Sequence, residues 1–205
     1  MAATPSTMLE LGTAAPDFAL PDVVTGRTVS LGTFQDKDVL LVMFICHHCP
    51  FVKHVKAELA RLGQDYSGKS VGIVAISSND PAVSSDDSPE GLRQMASEWG
   101  LSFPVCYDET QAVAKSYAAA CTPDFYVFDR PRRLAYRGQL DDSRPANGKP
   151  VNGRDLRAAM ATDYVRRLLD GWPRLTAEQR SQLAELLRAD GSSCARKDPV
   201  IKNGA

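Results

Sequence analysis

The chain of 205 residues has the length of one ordinary domain with room for a terminal extension, and it carries 43% hydrophobic and 24% charged residues, an average soluble composition. Its apolar stretches are too short to cross a bilayer, and 24 basic against 25 acidic residues give a net charge of −1, so neither a membrane span nor a nucleic-acid partner is expected. Five cysteines form an odd, scattered set rather than a disulfide framework. The start, "MAATPSTMLELGTAAPDF", shows no basic n-region or apolar h-region, and the expected location is the cytosol.

The first patterned segment, "APDFALPDVVTGRTVSL", alternates short apolar runs with turn residues at Pro21-Asp22 and Thr25-Gly26, which predicts a β-hairpin on the edge of a sheet. "DVLLVMFI", Asp38 to Ile45, is a continuous apolar run ending at Cys46, the pattern of a strand buried on both faces. Val52, Val55, Leu59 and Leu62 then recur at helical spacing up to a stop signal at Gly63. "SVGIVAISS" predicts a second buried strand, and "NDPAVSSDDSPE" a polar loop. Ser88 caps the next helix, with Pro89 at its first position, Leu92, Met95, Ala96 and Trp99 on its buried side, and Gly100 at its end.

Further on, "SFPVCYD" reads as a short strand, Asp108 to Ala119 as a helix, and "DFYVFD" and "RLAYRGQL" as a strand pair across Arg130-Pro131. "RGQLDDSRPANGKPVNGRD" reads as a solvated loop with Asn152 as a candidate helix cap, or alternatively as a rim that selects partners. Helical pattern resumes from Arg154 to about Leu169, and Thr176 and Gln179 are spaced as a capping box in the tail. These alternating elements predict a three-layer α/β/α sandwich with a mixed central sheet. The domain limits are 1–170, with a helical and irregular extension over 171–205.

The chemistry concentrates in "FICHHCPFVKH", Phe44 to His54, where Cys46 and Cys49 flank His47 and His48. A C-x-x-C pair between a buried strand and a helix is expected to place Cys46 at the helix N-terminus, where unsatisfied N–H groups and the macrodipole favour a thiolate. Cys49 is then one turn further in and more buried. His47 and His48 tune the pair, while Pro50 removes a donor and leaves the Cys46 carbonyl without its usual partner. Zinc or copper is the rival occupant, but the two imidazoles share one turn with the thiols, His54 lies on another face, and no second ligand pair follows. No metal and no organic cofactor is expected. Thr122-Pro123, just before a strand, is a candidate cis peptide. Cys106 in its apolar strand reads as core, and alternation turns Cys121 away from Cys46 if Thr122 faces it.

An N-terminal hairpin, strand–CHHC–helix, an intervening βα unit and Thr122-Pro123 before two strands together resemble the thioredoxin fold over about Leu11 to Leu169. On "APDF", "FICHHCPFVKH", "TPDFYVFD" and "YRGQLDDSRP" the chain resembles more narrowly the redoxin branch, the relatives of thiol-specific antioxidant and alkyl hydroperoxide reductase proteins. The resemblance implies a thiol–disulfide oxidoreductase with Cys46 as attacking thiol and Cys49 as resolving thiol. Thr122 and a cis Pro123 would face the pair, bind the substrate chain and keep metals out.

Its partners would be a disulfide-bearing protein or small molecule and a cellular dithiol. Cys121 and Cys194 are candidate auxiliary thiols. The buried acid that thioredoxins carry in the strand before the motif is replaced here by Leu40. Peroxiredoxins place Thr or Ser where Cys46 stands, their peroxidatic Cys where Cys49 stands, and an Arg near Thr122-Pro123. A thiol peroxidase is therefore the second reading, and a metal-binding or chaperone module the third.

Overall fold

A computed structural model describes residues 9–161. The chain divides into two compact units, Met1–Val165 and Arg166–Ala205, and every described residue belongs to the first. The expected boundary at residue 170, the capping box at Thr176 and Gln179, and Cys194 lie outside the described residues.

The central sheet has five strands: β3 (Val39–Phe44), β4 (Val71–Ser77), β5 (Val105–Tyr107), β6 (Asp124–Phe128) and β7 (Leu134–Gly138). Their order is β5-β4-β3-β6-β7, with β4 parallel to both β3 and β5, and β6 antiparallel to both β3 and β7. The sheet is therefore mixed, and β3 is its middle strand. Burying a large aliphatic side chain yields about 1.5–3 kcal/mol, so a run that is apolar on both faces is driven to the centre.

The β3 side chains serve two cores by strict alternation. Val39, Leu41 and Met43, with Ile45 just past the strand's end, pack with the helices α1 (Pro50–Asp65) and α2 (Pro89–Glu98) and with a helix over 154–161, α4. Leu40, Val42 and Phe44 face the other layer, where Phe18, Val29, Phe34 and Tyr117 close the second core. That layer holds the hairpin β1 (Ala19–Pro21) and β2 (Thr28–Ser30), a 3-10 turn at Leu31–Phe34, and the short helix α3 (Ala112–Ser116). The thioredoxin-like three-layer sandwich is thus the fold adopted.

Two local expectations are corrected. Helix α1 passes through Gly63 and runs to Asp65, because Leu59 and Leu62 are fully buried and hold the last turns on the sheet. The helix expected over Asp108 to Ala119 contracts to α3. Asp108 is buried and accepts the Ala114 N–H at 2.9 Å and the Ser78 hydroxyl at 2.8 Å, while Gln111 turns left-handed at φ 59°. A side-chain acceptor there competes with the helical ladder. Ser88 caps α2 as expected, accepting the Gly91 N–H at 3.1 Å.

Candidate active site

Strand β3 delivers the chain to Cys46 and helix α1 leaves from Pro50, so Cys46 to Cys49 form the connecting turn at the sheet's centre. The helix begins at Pro50 because proline's fixed φ suits a first helical position and its missing N–H is not needed there. Cys49 is consequently the N-cap, and its carbonyl accepts the first helical bond from Lys53 N at 3.0 Å.

This corrects the expected placement of Cys46. It stands three residues outside the cap and is fully buried, whereas Cys49 is half-buried and borders an open cleft. No orphan carbonyl is created at Cys46 by Pro50, because the Cys46 carbonyl is not part of the helix.

The two thiols share one environment. Cys46 Sγ lies 3.2 Å from Thr122 Oγ1, and Cys49 Sγ lies 3.3 Å from the Thr122 carbonyl oxygen. The Thr122–Pro123 peptide is cis, as the dipeptide suggested. Each thiol bears on the ionisation of the other, which separates their acidities.

Cys49 falls to about 5, because the Cys46 thiol donates to its sulfur and the Thr122 hydroxyl and the Val52 and Phe51 N–H groups add to this; burial opposes it. Cys46 moves upward, first because it is the donor to Cys49, then through burial and the negative charge of Asp87, with the Thr122 hydroxyl opposing. Cys49 is the more exposed sulfur and the one at the helix start.

The intervening histidines point to different neighbours. The His47 ring meets Trp99 edge-on, with centroids 5.6 Å apart. The His48 ring is 44% exposed, and its Nδ1 bonds Asp87 Oδ2. Asp87 is the residue that the sequence reading missed. Its Oδ1 accepts the backbone N–H of His47 at 2.8 Å and of His48 at 3.2 Å, and Asn79 Nδ2 donates to Oδ2 at 2.9 Å.

The stretch "DDSPE" signals only a helix start, and nothing in its composition shows that one acid turns inward. A 3-10 turn at Ser85–Asp87 does this, lying so close on α2 that a Cβ at Gly91 would stand 2.2 Å from the Asp86 carbonyl oxygen. Leu40, where thioredoxins carry their acid, is fully buried in the second core as a neutral residue.

Cys46 Sγ, a His48 ring nitrogen and an Asp87 oxygen lie within 4.8 Å of one another, close enough to gather around one ion. As arranged, His48 Nδ1 and Asp87 Oδ2 are engaged with each other, and the remaining Asp87 contacts come from N–H donors.

A cleft of about 390 Å³ opens beside Cys49, lined among others by Phe51, Thr122, Pro123, Leu140 and Arg144. The loop after β7 is thus a wall of the site, where a solvated loop was the first expectation. Asp141 organises it: buried itself, it accepts Ser143 N at 2.9 Å and the N–H groups of Asn152 and Gly153, both at 2.7 Å. Burial works against that carboxylate, but the Ser143, Gly153 and Asn152 bonds outweigh it and hold it at about 2. Asn152 accepts the Arg154 N–H at 3.0 Å at the start of α4.

Cys121 is corrected as well. β6 starts at Asp124, so strand alternation does not govern Cys121, which borders the Cys49 cleft and a second one of about 380 Å³. Burial raises its thiol, and the charges of Asp124 and Cys49 add to this. Cys106 is core as expected, and burial, with Asp22, pushes it to about 12.

The model of the Redoxin family matches residues 10–152. The chain belongs to the Redoxin family. A crystal structure of an uncharacterized conserved protein from Geobacillus kaustophilus is 54% identical to this redoxin with a TM-score of 0.77, covering 80% of this chain and 86% of that one. Thiol-disulfide oxidoreductase ResA of Geobacillus thermodenitrificans is 26% identical over 129 residues, 62% of this chain and 68% of its own. The thioredoxin domain of a thiol-disulfide oxidoreductase from Bacteroides vulgatus shares the fold at 20% identity and a TM-score of 0.56, covering 66% of this chain and 92% of that one.

Proposed function

We propose that this redoxin is a thiol–disulfide oxidoreductase in which Cys49 attacks and Cys46 resolves. The observation that carries the reading is the sulfur pair at Thr122, with the half-buried Cys49 at the start of α1 and the fully buried Cys46 behind it. The names of relatives such as ResA support the reaction class. The roles reverse the assignment implied by the family resemblance.

In the first step the Cys49 thiolate attacks one sulfur of a substrate disulfide. That S–S bond breaks, a Cys49–substrate disulfide forms, and the departing sulfur leaves as a thiolate that takes a proton from water. In the second step the Cys46 thiol gives up its proton and attacks Cys49 Sγ, releasing the second substrate thiolate and closing Cys46–Cys49. Two electrons have passed to the substrate, and a cellular dithiol returns the pair to its reduced form. Thr122 touches both sulfurs, and the cleft beside Pro123 receives the substrate chain. His47, His48 and Pro50 shape the turn rather than react.

Reduction of a protein disulfide by the reduced enzyme tests the reading: Cys49→Ser abolishes it at the first step, and Cys46→Ser stops it after a mixed disulfide forms. Full turnover by either variant overturns the proposal.

Peroxide reduction is the second reading, favoured by one observation, the lowered thiol of Cys49 at a helix start. There the thiolate takes one oxygen from the peroxide to give a sulfenic acid and an alcohol or water, and Cys46 condenses with it, releasing water. Rapid mixing with hydrogen peroxide separates the two, since oxidation at the rate of a free thiol removes the antioxidant role. Residence in the cytosol belongs to the same proposal, and fractionation of cells carrying the tagged full-length protein tests it.

A further inference from the structure

Two clefts meet at a ridge formed by Ala120, Cys121 and Thr122, which line both of them. One, of about 390 Å³, holds Cys49 and the exposed Arg144; the other, of about 380 Å³, holds Asn79, Gln111 and the exposed Lys115. Each alone reaches the size of a small binding site. The two exchange steps above use only the first cleft and give neither cation a part.

The walls display positive charge and withdraw negative charge. Arg144 donates to the carbonyl oxygens of Asp141 and Ser143 at 2.9 and 2.6 Å and to Gln139 Oε1 at 2.5 Å, neutral acceptors that hold its guanidinium without neutralising it. Among the described residues neither Arg144 nor Lys115 has an ion-pair partner. Of the described residues lining the clefts, Asp141 is the one acid, and three backbone N–H groups take up its carboxylate. Two further acids bond lining residues from behind, and both are buried: Asp87 is engaged by His48 and Asn79, and Asp108 by the Ser78 hydroxyl and the Ala114 N–H. Asp142, on the same loop as Arg144, is paired with Lys149 at 2.7 Å. A ligand entering either cleft therefore meets an exposed cation and no free carboxylate.

We propose that the two clefts select a peptide disulfide whose cysteine has an acidic residue on each side, one carboxylate meeting Arg144 and the other Lys115. This rests on the oxidoreductase reading and names its substrate class. The substrate cysteine lies over the ridge, where Thr122 touches both sulfurs, and its two flanks fall away into the two clefts. The chain's net charge of −1 supplies no general attraction for anions, so the preference comes from these two positions. A guanidinium already fixed by three hydrogen bonds loses little further freedom when it takes a carboxylate. The same cations repel a basic flank, which adds to the discrimination.

The test measures how fast the reduced full-length protein reduces short cysteine peptides, each held as a mixed disulfide with 2-mercaptoethanol and flanked on both sides by Glu, Gln or Lys. Dithiothreitol, run on the same peptides, corrects for their intrinsic reactivity. At low salt the corrected ratio of Glu to Gln peptide is about fivefold or more, the Lys peptide is the slowest, and the ratio shrinks as salt rises. Arg144→Gln and Lys115→Gln each lower the ratio about threefold, for acids on opposite sides of the cysteine, whereas Arg144→Lys keeps most of it. A merely structural role of Arg144 slows all peptides alike and leaves the ratio in place. A corrected ratio near one, or a ratio that both Gln variants leave unchanged, overturns the proposal. So does a charge preference shown for dithiodipropionate over 2-hydroxyethyl disulfide but absent from the peptides, which assigns the clefts to a small acid. Failure of the oxidoreductase reading shows differently, as no reduction of any disulfide by the wild type, and takes this proposal with it.

Discussion

Placing the thiolate on Cys49 has a kinetic signature that changes sign with pH. A thiol at about 5 is almost fully ionised at pH 7, against about 1% for one at its ordinary value near 9. The advantage is offset, because intrinsic nucleophilicity falls with thiol acidity with a slope of about 0.4–0.5, a loss of roughly 40- to 100-fold over this range. At pH 7 the two effects nearly cancel. At about pH 5.5 the ionised fractions differ by roughly 2000-fold, so Cys49 should react on the order of 20- to 60-fold faster than an unperturbed thiol. At about pH 8 it should react several-fold slower. Iodoacetamide labelling of the reduced wild-type protein, with Cys49 followed by peptide mass spectrometry, measures this crossover when compared with a small-molecule thiol. A rate at Cys49 that climbs tenfold per pH unit from 6 to 8, as an ordinary thiol's does, would refute the reasoning.

Other consequences follow from the surrounding structure. Asp141→Ala strands three N–H groups of the cleft wall, those of Ser143 and Gly153 buried, so it should cost about 2 kcal/mol or more in urea unfolding and raise KM for a protein disulfide, with the turn at Cys46 to Cys49 intact. Because the folded-state value of Asp141 is depressed to about 2, its contribution is complete above about pH 4 and is lost as pH falls through 2; the wild type should lose more stability across that window than the Asp141→Asn variant, by urea midpoints at each pH. Gly153→Ala forces a left-handed φ of 65° on a residue with a side chain and brings its Cβ to 2.6 Å from Glu58 Oε1, for a loss of about 2 kcal/mol or more by the same measurement. Cys121→Ser should leave disulfide exchange within about twofold, since the raised Cys121 thiol is a poor nucleophile near neutrality.

The fold was legible wherever burial repeats with a period. "DVLLVMFI" and "SVGIVAISS" are apolar on both faces and became the two adjacent central strands, and Ser88-Pro89 marked the start of α2 to the residue. Boundaries set by tertiary contacts were not legible: Gly63 stays helical because its neighbours are buried, and α3 is short because Asp108 offers its carboxylate to the backbone.

At the site, the C-x-x-C pair and Thr122-Pro123 announced themselves, yet their internal order did not. Spacing puts two cysteines on one turn without saying which end of that turn starts the helix, and here Pro50 starts it after Cys49. Asp87 was hidden for a different reason. An acid just before a helix cap is ordinarily a solvated residue, and only the tertiary packing of this turn brings the Asp87 carboxylate onto the His47-His48 backbone and the His48 ring. Asp141 is the same case in the opposite wall, an acid in a charged, turn-rich stretch whose burial depends on folding the loop back over it.

The measurement that bears most directly on this account is trapping of the first covalent intermediate. Reduced Cys46→Ser and Cys49→Ser proteins are mixed separately with a protein disulfide, quenched in acid and read by peptide mass spectrometry. A mixed disulfide should accumulate on Cys49 in the Cys46→Ser protein and none should form in the Cys49→Ser protein. A mixed disulfide on Cys46 of the Cys49→Ser protein, with none on Cys49 of its counterpart, would contradict it.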